Sequence, residues 1–424
     1  MQENFLPKVK QQYESLPYPP REPIDEKQRL IHTECDRLDK IMHYCFQGIN
    51  RFDKNFRCLV AGGGTGDAAI FLAEQLKNYG AKVTYLDLSE SSMAIAKERA
   101  QVRGLNNIEW INGSILDLSA FNVEPFDYIN CSGVLHHLAS PEEGLISLTN
   151  NLKADGAIGL MLYAKYGRQE VYNMQNLLRD ILPDGASIED KLFLTRVIVN
   201  NLPDTNLFKQ NLSKWAIDLS KKAYGDAGVY DLLLHSKDRC YTVDELYDLA
   251  KAANLNFVNF VGPFKQYYNL DTIDISEKVK DIFSTFGLRK KQAVAEQWHG
   301  NITKHMFYLS KRENAEANIE DKSLALLFTG DLAGKGHEFY QTIKPGEHLV
   351  LTYSLGDEKE EFGLECNRLT KDVVKLIDGK TSQQNIIRKI QKSHPNYSSN
   401  DVISEINKIF NLLHPRGWIC LYRN

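Results

Sequence analysis

From Arg57 to Tyr163 short β-branched or aromatic runs alternate with stretches of helical spacing. RCLVAG precedes DAAIFLAEQL, KVTYLDL precedes SSMAIAKERAQV, IEWING follows, FDYINCSG precedes PEEGLISLTNNL, and AIGLMLYA closes the series. A period near two giving way repeatedly to one near 3.6 predicts a doubly wound α/β sheet of parallel strands with helices on both faces. Residues 168–235 change character. EVYNMQNLLRDIL and IEDKLFLTRVIVNNL are helical in spacing and no strand pattern intervenes, which predicts an inserted helical subdomain. YTVDELYDLAKAANLNFVNFV and HMFYLSK then return to the sheet and close a first domain, 57–312, behind an N-terminal segment of 1–56.

The tail, 313–424, reads as a small α+β accessory domain. Leu369 to Ile377 is an amphipathic helix stopped by Gly379, Thr381-x-x-Gln384 has the form of a capping box opening a second, Asp401 to Leu413 gives a third, and GWICLY gives a last strand. Three short helices and a strand from 367 onward predict a winged-helix-like module. Its helix Asp401 to Leu413 carries Lys408 alone as a base, so nucleic-acid binding is not expected.

Composition adds boundaries rather than direction. The 51 Lys+Arg and 55 Asp+Glu of 424 residues leave a net charge of −4, which gives no global field for nucleic acid or anionic lipid. That balance conceals a polarity: 313–366 holds twelve acids against four lysines, and 367–424 holds ten bases against four acids. The tail is therefore expected to contact another surface, whether its own catalytic domain, a twin subunit in a homodimer, or the substrate. No apolar run is long enough to span a bilayer and MQENFLPKVK lacks an apolar signal core, so a cytoplasmic protein without membrane association is expected. The seven cysteines are scattered and never spaced C-x-x-C, as reduced thiols are.

The chemistry starts at Leu59-Val-Ala-Gly62-Gly-Gly64-Thr-Gly66-Asp67, where a strand ends and a helix begins. Glycine there permits positive φ and close approach of a ligand. A dinucleotide fingerprint on Gly62 and Gly64 needs a third glycine at Asp67. An acid at that helix N-terminus opposes a phosphate and suits a ligand carrying positive charge. S-adenosylmethionine is such a ligand. Asp87, ending the next strand, is placed to accept hydrogen bonds from both ribose hydroxyls.

These motifs resemble those of class I S-adenosylmethionine-dependent methyltransferases: LVAGGGTGD as the first motif, YLDLS as the ribose-binding acid, WINGSILDL as the adenine-side loop, and FDYINCSGVLHHL with NLKADGAIGL as the later ones. The resemblance implies a Rossmann-like fold and S-adenosylmethionine as cofactor. It implies that Gly62, Gly64, Gly66 and Asp67 line the methionine portion and that Asp87 and Leu88 hold the ribose side. Ser114, Ile115 and Asp117 would flank the adenine, and Asn130 and Ser132 would face the reactive end. The layout as a whole is similar to bacterial protein lysine methyltransferases.

The acceptor side is expected from the flanks. Tyr13-Glu-Ser-Leu-Pro-Tyr18-Pro-Pro-Arg21 is a rigid lead that serves either as a lid or as a surface brace. Tyr166 follows the fifth strand, and His235 returns from the insert toward the same edge. His136 and His137 are adjacent and point in different directions, so no metal is expected; His137 is read as packing or lying near the substrate. Tyr18, His137, Tyr166 and His235 are thus the candidates for orienting a nucleophile. The expected activity is methyl transfer to a protein side chain such as lysine or to a small metabolite. A non-catalytic S-adenosylmethionine sensor recruiting a partner through its tail is the alternative.

Overall fold

The alternating runs become strands in a computed structural model of the chain, which describes residues 5–183, 185–273, 275–355 and 358–423. The first four residues of the expected N-terminal lid lie outside the described residues. β1 (Arg57–Ala61), β2 (Lys82–Asp87), β3 (Ile108–Asn112), β4 (Phe126–Ser132), β5 (Leu152–Tyr163), β6 (Asn256–Phe260) and β7 (Lys304–Ser310) form one sheet in the order β3-β2-β1-β4-β5-β7-β6. The expected doubly wound, Rossmann-like core is present. Its first five strands are parallel. The purely parallel sheet is not: β7 runs antiparallel to both β5 and β6, because the long excursion after β5 delivers the chain to the opposite end of the sheet. That reversal has a functional result. It pairs Lys304, at the start of β7, with Tyr163, at the end of β5, on the carboxyl edge where open α/β sheets bind ligands.

Two apolar layers cover the sheet. On one face Leu59, Ile129, Ile158, Leu160 and Phe307 pack under helix Val243–Ala252, and on the other Cys58, Val60, Val83 and Tyr128 pack under α2 (Leu38–Cys45) and α3 (Asp67–Leu76). Strand residues alternate between the layers, as the pleat requires. α1 (Pro7–Ser15) and α4 (Glu90–Val102) flank the glycine-loop edge, and α5 (Pro141–Asn150) leads into β5. Residues 169–234 are helical, with their own core of Val171, Met174, Leu178, Phe208, Trp215 and Leu232.

In the tail β8 (Ala325–Phe328) pairs antiparallel with β11 (Ile419–Tyr422), the hairpin of β9 (His348–Leu355) and β10 (Glu358–Glu365) stands beside them, and the three helices are Arg368–Lys375, Gln383–Ser393 and Ser399–Leu413. The second helix is capped one residue later than its sequence form predicts. Ser382 accepts the Asn385 N–H at 3.3 Å, whereas the Thr381 hydroxyl is taken by Asp378 at 2.9 Å. The apolar faces of all three helices meet β8 and β11 in a separate core.

A buried polar knot joins this tail to the catalytic domain. Lys265 donates to Tyr44 Oη at 2.6 Å and to the His414 carbonyl at 2.7 Å, and His43 Nδ1 accepts the Leu421 N–H at 3.0 Å. With Nδ1 an acceptor, the His43 proton resides on Nε2, 3.0 Å from His414 Nε2. Burial lowers the Lys265 pKa to about 8, with Glu316 opposing. His414→Ala would leave Lys265 and His43 facing a hole and is expected to cost about 2–4 kcal/mol of stability, read by urea unfolding.

Candidate functional site

The strand order reverses between β1 and β4, and a cavity of about 710 Å³ opens over the carboxyl ends there. Its floor is the glycine loop. Gly62 and Gly64 take φ of +74° and +51°; a Cβ on Gly62 would lie 2.4 Å from Val134, and one on Gly64 would lie 2.7 Å from the Tyr18 carbonyl. Only glycine allows this turn with the chain lying so close above it. Asp87 fixes the loop from β2: its carboxylate accepts the N–H of Gly64 at 2.7 Å and of Ser89 at 2.8 Å. Burial raises the Asp87 pKa, and those N–H groups oppose the rise.

The N-terminal segment is the roof. Phe5, Leu6, Val9, Tyr13, Tyr18 and Pro19 all line the cavity. Thr65 Oγ1 donates to the Pro19 carbonyl at 2.6 Å, Ser89 Oγ donates to the Tyr13 carbonyl at 3.1 Å, and Glu14 accepts the N–H groups of Glu90 and Ser91 at the start of α4. A carboxylate at a helix N-terminus is stabilised by the unpaired amides there.

Of the residues expected around the cofactor, Gly62, Gly64, Asp67, Asp87, Leu88, Ser114, Ile115, Asn130 and Ser132 line the cavity. Gly66 and Asp117 do not. Gly66 heads α3 at φ +105°, where a Cβ would meet Ala96 at 2.9 Å, so it serves helix packing. Asp117 lies in the helical turn Ile115–Phe121, one turn beyond the wall formed by Ser114, Ile115 and Leu116. Asp67 also departs from its expected use. Its carboxylate is bound by Arg21 at 2.7 Å and by the buried Arg99 at 2.7 Å, so the positive partners of this acid come from the chain. Arg99 further pairs with Glu26 at 2.6 Å, tying α4 to the N-terminal segment.

The other half of the cavity lies between the roof and the helical insert. Asp231 is its centre, 4% exposed, in the wide helical turn Tyr230–Leu234. Tyr13 Oη donates to Asp231 Oδ1 at 3.1 Å and Tyr163 Oη to Oδ2 at 3.3 Å. Burial raises the Asp231 pKa to about 7, with Asp238 adding to the rise and Tyr13 opposing it. Tyr18 donates to Asp218 at 3.4 Å on the same wall.

His137 lines this half, while His235 stands behind it, stacked on His137 at 3.7 Å between ring centres. His137 Nδ1 donates to the Lys237 carbonyl at 2.7 Å, which leaves Nε2 as the acceptor nitrogen. His235 is the reverse: Nδ1 accepts the Lys237 N–H at 3.1 Å, so Nε2 carries the proton, 3.2 Å from Tyr13 Oη. The donor atoms of His137, Asp231 and His235 lie within 4.8 Å of one another, close enough for an ion. The protonated His235 Nε2 makes the cluster a hydrogen-bond chain instead, running His235 to Tyr13 to Asp231.

Tyr166 is corrected. It lies outside the cavity, nearest to Glu296, Asp244 and Glu245, because the strand alternation that turns Met161 and Tyr163 inward ends at the turn Tyr166–Arg168. Tyr163, two positions into that alternation, is the inward tyrosine. Tyr13, Arg168, Trp215, Asp218, Asp231 and Lys304 also line the chamber without having been expected there.

Residues 59–158 match the family described as methyltransferase domain. An uncharacterized protein of Synechococcus sp. is 29% identical over 259 residues, 60% of each chain. The tRNA 5-carboxymethoxyuridine methyltransferase of Escherichia coli K12 is 33% identical over 115 residues, 27% of this chain and 42% of that one. The chain thus spans about half the length of these curated relatives. Among solved structures, PKMT2 from Rickettsia typhi in complex with AdoHcy shares the fold at a TM-score of 0.63 and 15% identity, over 92% of this chain and 76% of that one.

Proposed function

We propose that this chain, whose residues 59–158 are a class I methyltransferase domain, is an S-adenosylmethionine-dependent methyltransferase acting on a nucleophile held in the chamber between its N-terminal roof and its helical insert. The observation that carries the reading is the Asp87 carboxylate clasping the Gly64 N–H at the switch point of the sheet. That acid, the open glycine turn and the slot of Leu88, Ser114 and Ile115 fit a nucleoside without phosphate. Asp87 is the ribose acceptor and the glycine loop receives the methionine chain. S-adenosylmethionine, when bound, supplies an electrophilic methyl group whose transfer returns the carbon–sulfur electron pair to sulfur.

The chain's own residues orient and deprotonate the acceptor. Tyr13, Tyr18 and Tyr163 wall it in and exclude water, and Asp231, held by two phenols, takes the proton the nucleophile gives up. A pKa raised toward neutrality matches a base to that task. Positioning and desolvation supply the remainder of the acceleration. A protein side chain such as lysine and a small metabolite are the two acceptor classes this reading admits.

Tritium transfer from labelled S-adenosylmethionine into an extract is the test. Label entering a stable product supports the enzyme. Binding of the cofactor with no transfer into any fraction refutes it and leaves a sensor.

A further inference from the structure

The insert side of the chamber holds hydrogen-bond donors that nothing in the chain satisfies. Arg168 is 4% exposed and lines the cavity, yet its Nε and Nη2 have no hydrogen-bond partner. The Tyr163 ring lies 3.7 Å from its guanidinium carbon and the Trp215 ring 5.2 Å. The nearest acid, Asp238, stands 4.0 Å from Nη2, beyond hydrogen-bond reach, and already accepts from Tyr172 at 3.2 Å and Gln175 at 3.0 Å. Trp215, 5% exposed and also on the cavity wall, leaves its indole N–H unsatisfied. A buried guanidinium and a buried indole N–H that donate to nothing each cost desolvation free energy that an acceptor would recover.

The acids of the same wall do not serve them. Asp231 receives Tyr13 and Tyr163, and Asp218 receives Tyr18 and lies beside the Lys304 ammonium. The guanidinium directs its N–H groups in its own plane, past the ring stacked on it, and a planar two-oxygen acceptor meets such an edge with parallel hydrogen bonds.

We propose that the methyl acceptor is a small molecule carrying a carboxylate, received edge-on by Arg168 with the Trp215 indole N–H as a further donor. The carboxylate is the anchor and another group of the same molecule is the nucleophile, which the anchor holds beside Asp231 and Tyr13. The inference rests on the methyltransferase reading and deepens it. It separates the acceptor half from the cofactor half, where Asp87 and the glycine loop lie on the first two strands and Arg168 follows the fifth.

The test uses the full chain and an extract of small molecules with tritium-labelled S-adenosylmethionine as the probe. The labelled product is expected in the small-molecule pool, retained on an anion exchanger at pH 7 and released at pH 2, where a carboxylate is protonated. Arg168→Met is expected to lower label transfer on the order of 100-fold, as the loss of charge-assisted bonds implies, with S-adenosylhomocysteine affinity by calorimetry within about threefold of wild type. Trp215→Phe keeps the ring, and a loss of about tenfold is expected from the N–H alone. The proposal is overturned by label in the protein fraction, by a product the exchanger does not hold at pH 7, or by one still held at pH 2, as a phosphate would be. Wild-type transfer rates in Arg168→Met overturn it too. So does a tenfold loss of S-adenosylhomocysteine binding in that variant, which would give Arg168 to the cofactor. Failure of wild-type protein to bind S-adenosylmethionine at all is distinct from these, and refutes the methyltransferase reading on which they stand.

Discussion

Asp87→Ala is expected to weaken S-adenosylmethionine binding by about two to three orders of magnitude in a calorimetric titration. The carboxylate already anchors the Gly64 and Ser89 N–H groups, so its loss acts twice. It removes the acceptor of two ribose hydroxyls, each a charge-assisted bond of about 1.5–3 kcal/mol, and it frees the glycine loop that must cradle the methionine chain. Gly64→Val reaches the same end by another route. A side chain there meets φ of +51° and the Tyr18 carbonyl at 2.7 Å, so the loop or the roof must shift. Affinity within threefold of wild type in both variants would refute the placement of the cofactor.

The halves of this site were unequally readable in the sequence, for a physical reason. The glycine loop and Asp87 sit within one strand–loop–helix–strand unit, where local backbone demands leave their mark: positive φ calls for glycine, and a carboxylate ends a strand of alternating apolar residues. The acceptor chamber is assembled from residues 13, 163, 168, 215, 231 and 304, brought together across nearly 300 positions. No local rule marks them. Tyr163 was within reach of the period-two argument, since Met161 and Tyr163 share a face; extending that phase past the strand led to Tyr166. Lys304 depended on β7 running antiparallel, which neither propensity nor period encodes. Asp231 belongs to a wide helical turn whose sequence, YDLLL, reads as ordinary amphipathic helix. The tail's helices were legible from their periodicity, whereas the knot of His43, Lys265 and His414 that holds them to the catalytic domain joins residues more than 370 apart in sequence and left no pattern.

Asp231→Asn is expected to lower methyl transfer by about 10²–10⁴-fold at pH 8 while S-adenosylhomocysteine binding holds. The pH dependence gives the sharper readout. With its pKa raised to about 7 by burial, the wild-type carboxylate is ready to accept a proton only above neutrality. kcat/KM should rise about tenfold per unit up to pH 7 and level off above it, and this inflection should be absent in the variant. Stability must move the opposite way. A carboxylate whose folded pKa exceeds its ordinary value of 3.8 favours the fold fully at low pH, and that contribution is lost as pH rises from 3.8 through about 7. At pH 8 the wild type therefore carries the cost of an ionised, buried Asp231, and Asp231→Asn should unfold at a higher temperature than wild type there. At pH 4 the two should nearly coincide. Asp36, raised to about 7 by the same burial, remains in both proteins and cancels from the comparison. A variant that is less active yet more stable at pH 8 separates a base held ionised for chemistry from a carboxylate kept for structure, whose removal would lower both. Equal melting temperatures at pH 8, together with an unchanged pH profile, would remove Asp231 from the proton path.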